Sequence, residues 1–497
     1  MPSDRRLHPL SLFFGLGKQA SGLVVPLILF LIGSRSAGFG WELVALVFLV
    51  PSAIVALGRQ LTYRYRYEPG EIVVRSGFLF RNERHVPYGR IQNIEAVQNL
   101  AHRLVNVVEV RIQTGGADEP EATMTVLPVA ALDEMRQRVA EARRPAARAV
   151  PPEEQLAPVI FRLPAGEVLL SGFIENRGLL IVGAALGLLW ELGVLPGMLQ
   201  SALGAEVAGR GALRAAVRGI FAGAWQPGSL LVAAVLVVGF LLLTRVLSMG
   251  WALMRLHGFT VVREAADLRI AFGLLTRMTT TIPVRRIQQV TIRQTPLHRV
   301  FGRASVRVAT AGGTGQDGAS RQREWLAPII RVDEVPRLLE EVLPGVGFTA
   351  FQWQPVHPRA FRRAVKVSMA VSLIPCVAMT GFLGWWGLAL LPSCLAFAVV
   401  QARIAVANLG WARGDKEIAF RRGAFWRYVS IARVTKIQAV SVRESPFDRR
   451  AGMATLAVDT AGSSESDQVR IPYLRRDVAD RASAELAAEA GTTEFTW

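Results

Sequence analysis

The stretch Val86-Pro87-Tyr88-Gly89-Arg90-Ile91-Gln92 returns as Ile282-Pro283-Val284-Arg285-Arg286-Ile287-Gln288, and more loosely as Ala432-Arg433-Val434-Thr435-Lys436-Ile437-Gln438. Working outward from it, residues 71–116, 267–312 and 417–462 align over 46 positions without a gap. Seven columns are identical in all three segments. They are Gly77/Gly273/Gly423, Arg81/Arg277/Arg427, Ile91/Ile287/Ile437, Gln92/Gln288/Gln438, Arg103/Arg299/Arg449, Thr114/Thr310/Thr460 and Gly116/Gly312/Gly462. A gapless match of that length marks an internal triplication.

Within each copy the pattern is that of β structure. Val108, Val110 and Ile112 alternate with Glu109, Arg111 and Gln113; Ala304, Val306 and Val308 repeat the period, as do Ala454, Leu456 and Val458. Period two with one apolar face predicts a half-buried antiparallel strand. Gly77 and its equivalents interrupt strand-like runs where a turn is expected. Each copy closes on an amphipathic stretch, at 132–143, 335–343 and 475–490, so the expected unit is a small antiparallel sandwich capped by a C-terminal helix that folds alone.

Between the copies lie apolar blocks. Of 497 residues, 51% are hydrophobic and only 19% charged, with a mean hydropathy of +0.31; a soluble chain carries about 25% charge. Six blocks read as spans, at 20–32, 41–57, 179–199, 229–251, 367–386 and 387–407, close to span length or somewhat short of it. They pair into three hairpins. Arg5, Arg6 and Lys18, then Arg59, Arg64 and Arg66, flank the first; Arg162, Arg177 and Arg255 flank the second; Arg359, Arg362, Arg363, Lys366, Arg403 and Arg413 flank the third. The positive-inside rule places all these flanks, both termini and the three repeats in the cytoplasm. The loop 200–228, with Arg210, Arg214 and Arg218, is the exception. Ser34-Arg35-Ser36 resembles a signal-peptide cleavage site, but cleavage there would break the pairing, so the first block is read as a span. Arg245 is expected to snorkel and Glu191 to face the bundle; Gly183-x-x-x-Gly187 is expected to be a helix-packing face.

The resulting division is an N-terminal segment with hairpin 1 (1–60), a first domain (61–143), a linker (144–174), hairpin 2 (175–252), a second domain (253–345), a linker (346–365), hairpin 3 (366–408) and a third domain (409–491).

No residue constellation supports catalysis. Cys376 and Cys394 lie in apolar blocks without a CxxC. The six histidines are scattered, so neither metal nor cofactor is expected. His102 and His298 share a repeat column filled by Asp448 in the third copy, and this is read as a surface loop position. Gly313-Thr314-Gly315-Gln316-Asp317-Gly318 matches GxGxxG but opens no apolar-periodic helix, and is read as a loop between strands.

The Val-Pro-Tyr-Gly-Arg-Ile-Gln unit at 86–92 and its equivalent at 282–288 resemble the signature of the bacterial pleckstrin-homology (PH) domain of YdbS- and YdbT-like membrane proteins. The third copy departs from it at Arg433 and Lys436 but keeps Ile437-Gln438 and the later Thr460-x-Gly462. The order hairpin then domain, three times, is similar to the YdbT type. The resemblance implies a PH-like barrel, a YdbS-like companion with one hairpin and one such domain, and no established enzymatic activity; the expected setting is the bacterial inner membrane, with a part in envelope stress or antimicrobial resistance.

Net charge is +18, from 57 basic and 39 acidic residues, and only four of the basic ones are lysine. The repeated basic columns are the binding candidates: Arg81, Arg277 and Arg427; Arg90, Arg286 and Lys436; Arg103, Arg299 and Arg449. They suit a protein partner, another copy of the domain, or anionic headgroups, where each basic residue contributes about 1 kcal/mol. A plainer role, bonding carbonyls at a loop, fits an arginine kept in every copy equally well. Gly77, Gly273, Gly423, Ile91, Gln92, Ile287, Gln288, Ile437, Gln438, Thr114, Gly116, Thr310, Gly312, Thr460 and Gly462 are read as structural. Nucleic acid is not an expected partner, since no aromatic-interleaved basic face accompanies the charge.

Overall fold

The computed structural model describes residues 61–77, 81–114, 122–142, 158–194, 227–264, 267–310, 325–345, 351–383, 391–460 and 469–492, with isolated positions 5, 6, 11, 58 and 389. The first hairpin, the site at 34–36, the loop at 200–226, the Gly-rich stretch at 313–318 and Gly116, Gly312 and Gly462 lie outside the described residues.

Each copy contributes six strands. Copy 1 has β1 (Arg64–Glu68), β2 (Glu71–Ser76), β3 (Asn82–Pro87), β4 (Ile91–Gln98), β5 (Val107–Thr114) and β6 (Ala122–Pro128). Copy 2 has β7 (Thr260–Glu264), β8 (Asp267–Phe272), β9 (Arg277–Pro283), β10 (Ile287–Gln294), β11 (Arg303–Thr310) and β12 (Trp325–Arg331). Copy 3 has β13 (Gly410–Arg413), β14 (Glu417–Arg422), β15 (Arg427–Arg433), β16 (Ile437–Arg443), β17 (Met453–Thr460) and β18 (Val469–Arg475). Short helices α1 (Leu100–Leu104), α6 (Pro296–Val300) and α10 (Pro446–Ala451) follow the fourth strands, and α2 (Val129–Ala142), α7 (Val335–Val342) and α11 (Arg476–Thr492) close the copies.

The alternation predicted the buried faces. Val110, Val306 and Leu456 are each fully buried, as are Ile112, Val308 and Val458 to within 1%. In copy 1 they join Tyr65, Ile72, Val86, Ile91 and Met124 under Leu132, Met135 and Val139 of α2, whose spacing of three and four residues presents one face of a helix. The core of copy 3 repeats this with Ile418, Phe420, Ile437, Ile471 and Leu486. The opposite face is not simply polar and wet, however: Glu95 and Glu109 are 1% and 9% exposed, Glu95 accepting from Asn93 and Gln113, and Glu109 from Arg111.

The copies are not three separate units. By internal contact the chain divides into Met1–Val159 with Met254–Pro283, and Ile160–Leu253 with Val284–Trp497. The division passes through copy 2, so the expectation that each copy stands alone is corrected for that copy. In the first unit β6-β5-β4 continue directly into β9-β8-β7; in the second, β12-β11-β10 continue into β15-β14-β13. The physical cause is pairing between strand edges, which offer unbonded N–H and C=O groups.

The remaining helices are α3 (Ala165–Glu175), α4 (Gly178–Glu191), α5 (Pro227–Leu256), α8 (Ala360–Leu383) and α9 (Leu391–Asn408). Among the described residues two stretches are long and apolar enough to cross a membrane, Ala234–Leu256 and Leu391–Asn408, with a third if α3 and α4, bent by 59°, form one broken span. Six spans are therefore more than these helices support. α8 carries Arg362, Arg363 and Lys366 in its first turns and Pro375 in its middle, and α4 is described only as far as the turn after Glu191.

Helix α3 occupies a stretch read as linker. It and the first residue of α4 meet α5 closely, because a Cβ on Gly172 would lie 2.7 Å from the Met249 backbone, and one on Gly178 would lie 1.7 Å from the Thr244 carbonyl oxygen. Gly183 and Gly187, expected to be the packing face, have open space around them among the described residues; the helix approach falls at the bend instead. Arg245 donates to the Phe173 carbonyl and lies 5.0 Å over the Phe173 ring, so it ties α5 to α3, while Glu191 is exposed.

Candidate functional site

The sites where one copy binds the next are built by the repeat signature itself. In every copy the ladder between fourth and fifth strands slips by one residue just after the invariant isoleucine, at Ile91/Asn93, Ile287/Gln289 and Ile437/Ala439. The invariant glutamine is thus the extra residue of a β-bulge, which bends a strand and raises its twist. The isoleucine beside it is buried in each copy and pairs with the invariant threonine: Ile91 with Thr114, Ile287 with Thr310, Ile437 with Thr460. Gly77, Gly273 and Gly423 sit at φ +114°, +109° and +110° in the turn before the third strand. A Cβ on Gly273 would lie 2.0 Å from the Thr276 carbonyl oxygen, and one on Gly423 would lie 1.7 Å from that of Trp426. Only glycine fits both demands.

Bulge and turn present two edges that meet across copies. The outer edge of β4 pairs with β9, Gln98 opposite Arg277, Val97 opposite Met278 and Ala96 opposite Thr279. The Asn93 carboxamide oxygen extends this joint by accepting from the Thr281 N–H at 3.3 Å. The outer edge of β10 pairs with β15 over a longer register, from Gln289 opposite Ala432 to Gln294 opposite Arg427. A clamp closes each joint. Arg103, on α1, donates to the Gly273 carbonyl at 3.3 Å, and Arg299, on α6, donates to the Phe425 carbonyl at 3.3 Å. The arginine column thus binds carbonyls, those of the neighbouring copy's turn. Arg449, third in that column, is exposed and has no acceptor among the described residues.

The other basic columns lie elsewhere. Arg277 and Arg427 are exposed and open the third strands at the joints; Arg81 is exposed just before β3. Arg90, Arg286 and Lys436 each end a 3-10 turn, Arg90 exposed and the other two half-buried. Burial, then Arg433 and Arg285, push the Lys436 ammonium below its ordinary range.

The column His102/His298/Asp448 is not a surface loop position. Asn99, Thr295 and Ser445 cap the three short helices, their side chains accepting from the backbone N–H of His102, His298 and Asp448 at 2.7, 3.3 and 3.1 Å. In copies 2 and 3 the column's own side chain returns a bond to the cap, completing a capping box. His102 and His298 are 6% and 3% exposed.

The joints had a signal in the sequence that patterning by copy missed. The third strand of copy 1 reads Asn82-Glu83-Arg84-His85, while β9 reads Met278-Thr279-Thr280-Thr281 and β15 reads Tyr428-Val429-Ser430-Ile431. Charge blunts an edge, and between their terminal residues the two third strands that pair carry none.

Comparison with known proteins agrees with this repeat. The Bacterial PH domain family matches residues 20–143, 210–345 and 366–490. The UPF0699 transmembrane protein YdbT of Bacillus subtilis (strain 168) is 22% identical over 515 aligned residues, covering 97% of each chain. No solved structure matches. Since the family match takes in most of the chain and each of its three repeats, this protein belongs to the bacterial PH-domain family and carries that domain three times.

Proposed function

We propose that this protein is a non-catalytic membrane scaffold whose PH-like domains bind protein through their sheet edges, beginning with one another. The observation that carries the reading is the recurrence of one joint, fourth strand against third strand with an arginine clamp, at β4–β9 and again at β10–β15. Strand addition supplies affinity through main-chain hydrogen bonds, and flanking side chains supply choice of partner. The apolar helices α5 and α9 support anchoring in a bilayer, as does the likeness to a protein named as transmembrane. Three hairpins, with the domains on the cytoplasmic side of a bacterial inner membrane, accord with the basic flanks at 162–177, 255, 359–366 and 403–413.

The test uses the full chain with Cys376→Ala and Cys394→Ala, carrying Thr291→Cys and Ser430→Cys, which stand opposite each other in the second joint. A short thiol crosslinker applied to native membranes is expected to join peptides 287–294 and 427–433 in the mass spectrum. Two reactive but unlinked thiols would remove the basis of the reading.

One observation favours a second reading, contact with anionic lipid. A cavity of about 410 Å³ is lined by Glu175, Arg177, Arg293, His298 and Trp426 among others. It opens where α3 gives way to the apolar α4, and Trp426 is half exposed there. Arg177 is already paired with Glu175 at 2.9 Å, which leaves less charge for a headgroup and keeps this reading second.

A further inference from the structure

We infer that the outer edge of β16 is a docking site for the third strand of a PH-like domain carried by a different chain. The inference rests on the edge-binding reading above and names the partner of that same kind of joint. Copies 1 and 2 each use the edge of their fourth strand to hold the next copy. In copy 3 the fourth strand, β16, pairs with β17 on one side, and the described residues place no strand on the other.

Helix α11 packs on β16 at Val440 and Val442, and the sequence of the strand carries no block of its own. Strand β16 reads Ile437-Gln438-Ala439-Val440-Ser441-Val442-Arg443, without proline and with charge only at its last residue. Four other outer edges are blocked or covered: Arg5 and Arg6 pair with β1, Gln354 bridges to Trp411 of β13, β12 contains Pro328, and β18 contains Pro472. In β10, which holds β15, Gln288 and Gln289 are 5% and 2% exposed; the equivalent Gln438 and Ala439 are open to solvent.

Two side chains beside the edge supply the rest of a joint. Arg449 occupies the clamp column, exposed. Glu444 occupies the position of Gln98 and Gln294, which face the leading arginines Arg277 and Arg427. A carboxylate at that position complements an arginine-led strand. One Glu444 oxygen takes a bond from Arg476 at 2.9 Å; the other, Oε1, is buried without a hydrogen-bond partner among the described residues.

The same register excludes a second copy of this chain. Its free third strand is β3, which would set Glu83 and His85 against Val442 and Val440, where β15 sets Val429 and Ile431 against Ile292 and Val290. Glu83 and His85 are moreover engaged in their own sheet, by Arg75 at 2.8 Å and Glu71 at 2.8 Å. The occupant is therefore a third strand like β9 or β15: arginine first, then short uncharged residues.

The test uses the full chain with Cys376→Ala, Cys394→Ala and Ser441→Cys, and two synthetic peptides as probes. One is residues 423–434 with Ser430→Cys, the other residues 77–88 with Arg84→Cys, both positions falling opposite 441 in the joint register. The first peptide is expected to crosslink about tenfold more than the second, a difference of about 1.4 kcal/mol. Arg449→Glu, a surface change, is expected to reduce the link several-fold. No link from the first peptide, or equal linking by both, would overturn the inference. A link between whole chains bearing Ser441→Cys and Arg84→Cys would overturn it too, giving the edge to a second copy. If the peptide fails while the 291–430 link forms, this inference falls and the scaffold reading stands; if the 291–430 link fails, both fall.

Discussion

His298 shows how much one buried side chain contributes to a cap. Its Nδ1 lies 2.7 Å from the Thr295 hydroxyl and accepts from the Thr295 N–H at 3.4 Å, which requires a neutral ring. Burial, with Arg293 nearby, lowers its pKa from 6.5 to about 4. The unfolded chain takes up the proton near pH 6.5, whereas the folded chain resists it. Stability is therefore full above about pH 6.5 and is lost as pH falls toward 4, by on the order of 2–3 kcal/mol. Thermal unfolding of the detergent-solubilised chain between pH 7 and 4 should show this slope, and His298→Asn, which keeps an acceptor but cannot titrate, should flatten it. An unchanged slope would place the titration elsewhere. Copy 3 meets the same need with Asp448, held below the usual carboxylate range by the bonds from Ser445 and Arg363 against the opposing effect of burial.

At the scale of the element, the strand pattern carried the fold and the strand edge carried the assembly. Val306 is fully buried in β11, opposite Ile292 of β10 and Ala327 of β12. Val306→Asp buries an unpaired carboxyl at a cost of roughly 2–7 kcal/mol. Because β10 also holds β15, the damage should cross into copy 3. Hydrogen exchange should rise in β15 as well as β12, whereas Val110→Asp, in the first unit, should leave β15 protected. Equal protection of β15 in both variants would mean the second joint contributes nothing to stability. The predicted alternation of β5, β11 and β17 held for the core face; the polar face was misread at Glu109, which is buried, because alternation shows which side chains share a face but not what covers it.

For the whole molecule, the basic flanks predict one orientation. A reporter active only outside the cytoplasm, fused after Arg144, Pro344 or Trp497, is expected to give no signal at any of the three, since every hairpin of the proposed arrangement has basic flanks. Signal from any one would overturn the three-hairpin arrangement. The tethering also bears on the joints. Two edges carried on one chain meet at a high effective concentration, so pairing too weak between separate domains holds within it.

Triplication, the β period, the left-handed turn glycines and the apolar blocks were determined by the sequence alone, because each is a local property: a spacing, a backbone angle or a run of residues of one polarity. The partition of the repeats was decided by tertiary structure. The uncharged middle of β9 marks an edge fit to pair, but nothing within residues 253–345 says that β9 joins copy 1 while β10 joins copy 3, since every open strand edge offers the same N–H and C=O groups. The buried histidine caps and the role of Arg103 and Arg299 were hidden for a related reason. Their partners are Asn99 and Thr295 on one side and the carbonyls of Gly273 and Phe425 on the other, and a residue column cannot show which backbone atom from another copy will arrive beside it.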